Sequence, residues 1–157
     1  MRRYTYLFAI AIYGLVSCEP DDICLAETPG TPSLIVVFYD NAQPDTKKKV
    51  PDLQVTGVGL DTAYHNGTTD SIAIPLKTDD TSTAYMFIKT ENDVAFEESI
   101  TFKYDSYDSF ISRACGYKKS FTNVSYERSN NTIWIENIEI VTNTISDIKN
   151  IHVKILH

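Results

Sequence analysis

From residue 33 onward the chain carries no apolar stripe of helical period longer than about two turns; short apolar runs of period two recur between turn residues instead. Such a pattern can bury itself only as sheet packed on sheet or as a sheet rolled closed. SLIVVFY (33–39) is apolar at nearly every position and reads as a central strand. LQVTGVGL (53–60) and DSIAIPL (70–76) flank Tyr64-His65-Asn66-Gly67, where Asn-Gly fits a type I′ turn, so the two are expected to pair. TAYMFIK (83–89), SITFKYD (99–105), FISRAC (110–115) and KSFTNVSYE (119–127) follow. TIWIENIEI (132–140) shifts its apolar phase at Asn137, as a bulge would make it, and NIHVKIL (150–156) closes the domain. The expected fold is all-β: a single antiparallel β-sandwich, immunoglobulin-like or transthyretin-like, with a partly open barrel as the alternative.

The N-terminus has a different grammar. Arg2 and Arg3 precede the apolar run YLFAIAIYGLV, which stops at Ser17 and Cys18. That run is too short to span a bilayer and reads as a secretory signal over residues 1–17. Residues 18–32 then form a tether rich in acidic residues and proline, and residues 33–157 the folded domain. Without the signal, 12 basic residues face 21 acidic ones, a net charge of −9. That balance argues against nucleic acid as a partner, and Lys47-Lys48-Lys49 reads as a solvated turn.

Leu15-Val16-Ser17-Cys18 resembles a bacterial lipobox, in which cleavage precedes the cysteine and its thiol carries a diacylglycerol. The resemblance implies lipidation of Cys18, membrane attachment through that lipid, and an outer membrane lipoprotein, periplasm-facing or on the cell surface. Glu19-Pro20-Asp21-Asp22 resembles the surface-export signal of Bacteroidetes-type lipoproteins, and a solvated spacer is the alternative. CEPDDIC, PSLIVVFYD, DSIAIPL, SRACGYKKSF and HVKILH together resemble an uncharacterised family of Bacteroidetes lipoproteins. That family brings no activity, cofactor or binding residue with it.

No motif names a reaction. The histidines His65, His152 and His157 adjoin no candidate nucleophile, and no nucleophile elbow, zinc-protease pair or phosphate loop occurs. His152 and His157 are expected to face solvent, no metal or other cofactor is expected, and Asp79-Asp80 reads as a polar turn. Glu97-Glu98, or Asp105 with Asp108, are the carboxylates available to a small glycosidase-like hydrolase, the alternative to a non-catalytic binding or scaffolding module. Asp61-Thr62-Ala63 and Asp70-Ser71-Ile72 resemble O-glycosylation acceptors of the same bacterial group.

Tyr104, Tyr107 and Phe110 recur every third residue in YDSYDSF and are the candidate ligand-binding residues, for an envelope protein, peptide or glycan. The alternative places them in the core at a strand end. With Cys18 acylated, Cys24 and Cys115 are the thiols left in an oxidising compartment and are expected to form a disulfide, two buried free thiols being the alternative.

Overall fold

The computed structural model describes residues 23–128 and 133–157, so the signal, Cys18 and the acidic tether through Asp22 lie outside it. Among the described residues, nine strands form two sheets. They are β1 (Leu34–Tyr39), β2 (Val50–Gly57), β3 (Ala63–Thr69), β4 (Ser71–Ile74), β5 (Ser82–Glu91), β6 (Val94–Ser112), β7 (Gly116–Arg128), β8 (Asn137–Ile140) and β9 (Val153–Leu156). One sheet runs β4-β1-β9-β8 and the other β3-β2-β5-β6-β7; neither closes on itself, so the fold is a sandwich and not a barrel. All neighbours are antiparallel except β1 and β9, which run parallel with Val36 opposite Val153 and Phe38 opposite Ile155.

The alternating residues of both sheets meet in one core. Phe87 and Tyr85 of β5 and Ile100 and Phe102 of β6 pack with Leu34, Val36 and Phe38 of β1 and Val153 and Ile155 of β9, all essentially without solvent exposure. Central β1, apolar throughout, is buried or half-buried at every position, as a strand covered on both faces should be.

The expected pairing around Asn66-Gly67 does not occur. Residues 63–69 are themselves a strand, β3, pairing with β2, with Gly67 opposite Leu53 at φ +136°. The chain turns instead at 58–62, where Gly59 has φ +82°, and after Asp70 it crosses to the other sheet, where β4 pairs with β1. The two-residue hairpin turn is Asn92-Asp93, both at positive φ, joining β5 to β6 with Glu91 opposite Val94. TIWIENIEI is likewise not one strand: β8 begins at Asn137, and Trp134 and Ile135 pack into the core from the connection before it.

β6 pairs with β5 only as far as Lys103 but with β7 as far as Ser112, so the β6–β7 hairpin runs on past the sheet as a two-stranded ribbon. A lone ribbon is marginally stable in water. This one is held by a disulfide between Cys24 and Cys115, by Lys119 N–H donating to Thr31 Oγ1 at 3.1 Å, and by a bridge pairing Phe121 with Ile145. The disulfide closes a separation of 91 residues, which in the chain-entropy account contributes about 4 to 5 kcal/mol.

Glu98 fixes the far side of β6. Its carboxylate, 2% exposed, accepts the backbone N–H groups of Ile135 at 3.1 Å and Trp134 at 3.4 Å. Arg128 Nη1 lies 3.5 Å from its other oxygen and donates to the Ile135 carbonyl at 2.8 Å. A buried carboxylate is tolerated only when its lone pairs are filled in this way. Glu98→Ala should therefore lower the unfolding free energy by about 3 kcal/mol, against less than about 0.5 kcal/mol for exposed Glu97→Ala, as read by urea denaturation. Equal effects would remove the anchor.

Candidate functional site

Strand directions sort the connections into two ends. The segment before β1, the β2–β3 and β4–β5 connections, the β6–β7 tip and the β8–β9 connection share one end, here the proximal end. The β1–β2 connection, the Asn92-Asp93 turn, the approach to β8 and His157 share the other. Among the described residues, every exposed large apolar side chain except Val94 and Ile133 lies at the proximal end.

A pocket of about 390 Å³ opens there, between the β2–β3 and β4–β5 connections. Val58, Leu60 and Tyr64 form its exposed lip, and Leu76, Ala84 and Tyr85 its lining. The lip exists because the turn at Gly57 to Leu60 is tight: Leu60 N–H donates to the Gly57 carbonyl at 2.9 Å, and a Cβ on Gly57 would sit 2.9 Å from Leu60 Cδ1. The Tyr64 ring meets Tyr85 edge-on at 5.6 Å. The Tyr85 hydroxyl donates to the Pro75 carbonyl, and burial, with the Tyr64 phenol second, raises its pKa well above the usual phenol range. It is a fixed donor and not an acid.

Beside the pocket, Tyr104 donates to the Lys77 carbonyl at 2.9 Å, so the 2.6 Å contact with Thr83 must have Thr83 as donor. Thr83 in turn accepts the Lys77 N–H at 3.0 Å. This closed chain sets the β4–β5 connection and with it the pocket wall. Lys77 leaves its ammonium at the rim, 3.5 Å from Asp80.

The aromatic triplet does not form one platform. Tyr104 is 3% exposed and stacks edge-on against Phe121 at 5.1 Å, in the core. In a strand, residues three apart point to opposite faces, so Tyr107 leaves on the face away from Tyr104, while Phe110 pairs across the ribbon with Tyr117 at 5.4 Å. Tyr107 and Phe110 are exposed, Phe110 at 61%.

The same rule separates the carboxylates. Glu97 and Glu98 are adjacent on β6 and face oppositely, and Glu98 is the buried anchor. Asp105 accepts from Asn123 Nδ2 at 2.8 Å, and Asp108 pairs with Lys119 at 3.0 Å on the other face. Neither pair flanks a shared cleft. Asp80 accepts the Thr81 N–H at 2.7 Å within its turn, and Lys48 donates to the His157 carbonyl at 2.8 Å. Among the described residues, no three His, Cys, Asp or Glu side chains converge as a metal site.

The expectation for the C-terminal histidines is corrected: both are buried. His152, 1% exposed, donates its backbone N–H to the Ile35 carbonyl and accepts the Ile35 N–H on Nδ1 at 2.9 Å. It therefore takes the place of a ladder residue at the start of β9, which the alternation of NIHVKIL did not show. His157 stands edge-on to Phe38 and Trp134. Burial holds both imidazoles below the ordinary value of 6.5. A base depressed in the folded state gives stability that is complete above 6.5 and is lost as pH falls from there toward the folded pKa, because the unfolded chain takes up the protons first. The melting temperature should fall as pH drops from about 6.5 toward about 5, and His152→Asn should flatten part of that slope. A flat wild-type profile would contradict the assignment.

Residues 52–157 match the pattern described as a family of unknown function (DUF6452), from within β2 to the end of β9. No curated protein and no solved structure matches the chain. With more than half of its length in that match, the chain belongs to the family of unknown function DUF6452.

Proposed function

We propose that this chain is a lipid-anchored cell-envelope protein that binds a partner and catalyses nothing. In this reading the chain is a Bacteroidetes-type lipoprotein of the outer membrane, acylated at Cys18, with residues 18–32 as its tether. The Cys24–Cys115 disulfide supports an exported protein, since such bonds persist in oxidising compartments. No helix among the described residues is long and apolar enough to cross a membrane, and the reading calls for none.

The observation that carries the binding role is the apolar pocket and its exposed lip, Val58, Leu60 and Tyr64, on an otherwise acidic chain. Large apolar groups gathered at one place on a surface mark an interaction site more often than scattered ones do. Beside it, β3 is the outermost strand of its sheet, with one edge unpaired by any strand among the described residues. An extended peptide segment of an envelope protein fits both features, adding along β3 and placing one apolar side chain in the pocket.

Two experiments test this. Wild type should incorporate labelled fatty acid and Cys18→Ser should not; equal labelling would end the anchoring. Selection against a displayed peptide library should enrich extended sequences with an apolar anchor residue, and Leu60→Glu should weaken their binding by about tenfold or more, with a nearly unchanged melting temperature. Equal affinity for wild type and Leu60→Glu would reject the pocket.

A further inference from the structure

The disulfide joins two apolar neighbourhoods. Ile23 and Leu25, 74% and 64% exposed, flank Cys24, and Phe110 and Tyr117, 61% and 67% exposed, stack edge-on next to Cys115. The Cys24 and Cys115 Cα atoms are 4.8 Å apart, so one bond brings these two exposed apolar pairs to the same ribbon tip. Among the cations near it, Lys119 pairs with Asp108 and Lys118 donates to the Ser146 carbonyl at 2.9 Å, while Arg113 lies exposed in the turn itself. The tip therefore offers apolar area with basic side chains beside it. Free in water, such a cluster is costly at about 25 cal/mol per Å² of apolar surface.

Chain length says what covers it. From Cys18 to Cys24 a fully extended chain spans at most about 22 Å. Without the disulfide the leash would run to Leu34 in β1, about 55 Å. The bond thus shortens the leash by more than half and attaches it at the tip of the ribbon, not at the sheet. A lipid inserted at Cys18 holds that tip within reach of the headgroups, where aromatic rings with one polar edge are favoured.

We infer that the ribbon tip, Phe110 and Tyr117 with Ile23 and Leu25, docks on the surface of the bilayer that holds the anchor, and that the Cys24–Cys115 disulfide is the device that orients the domain on it. The inference rests on acylation of Cys18. The lipid supplies attachment and the tip supplies orientation, so the proximal end faces the membrane and the Asn92-Asp93 turn faces away.

The chain has one tryptophan, Trp134, which packs at the distal end and serves as an internal reference. Acylated full-length protein, its lipid verified by mass spectrometry, is reconstituted into phosphatidylethanolamine–phosphatidylglycerol vesicles whose acyl chains carry bromine near the headgroup. In Phe110→Trp the added fluorescence should be quenched about twofold, because side chains at an interface sit about 5 to 10 Å into the headgroup boundary, while wild-type Trp134 emission stays constant. A Gly-Ser insertion between Asp22 and Ile23 lengthens the leash, and quenching should then drop; unchanged quenching would overturn the role of the leash. Absence of acyl mass would overturn the anchoring reading itself. Acylated protein with an unquenched Trp at 110 would overturn the docking alone, as would quenching of Trp134 to the same extent. Unquenched protein that pairs with itself would assign the tip to a second copy.

Discussion

The pairing of β1 with β9 is the constraint on which the architecture depends. These strands lie side by side in the centre of the four-stranded sheet, with β4 and β8 attached to their outer edges. Parallel neighbours need a long crossover, and here the crossover is nearly the whole domain. Ile35 opens the contact with an unusual partner, giving its N–H to the His152 ring and its carbonyl to the His152 N–H. Because both strands run the same way, the segment before β1 and the connection before β9 leave from the same end. The ribbon tip comes to that end as well, and the disulfide joins it to the N-terminal segment.

The buried polar groups have structural work to do. Glu98 holds the approach to β8, His152 starts β9, and the Thr83, Tyr104 and Lys77 chain sets the β4–β5 connection. Each has its partners in the protein. Surface that is costly in water lies elsewhere, at the pocket lip and the ribbon tip. Both are at the proximal end, on different strands, and in the proposed reading that end meets a bilayer through β6–β7 and a partner through β2–β3.

Period-two alternation made the sandwich and most strands legible, because burial on one face writes itself into every second residue of β5 and β6. The disulfide was legible by elimination once Cys18 was assigned elsewhere. β3 was not, since AYHNGTT is an edge strand with few apolar residues and its Asn-Gly mimics a turn. The parallel pairing left no mark either, because β9 keeps the same alternation whichever way its neighbour runs. Tyr104 and Phe110 looked alike in sequence and differ in fate because β6 outruns β5: the first lies under the sandwich, the second beyond it. The pocket comes from the Gly57 to Leu60 turn and a sheet-crossing at Asp70, neither of which a periodicity can reveal.

The central claim is that recognition happens at the proximal end, beside the anchor. A photoreactive phenylalanine analogue placed at Leu60, on the pocket lip, and in a second strain at Asp45, in the distal β1–β2 connection, tests it in living cells. Irradiation should yield a discrete crosslinked species from position 60 and none from position 45. Crosslinking from position 45 with none from position 60 would contradict the account.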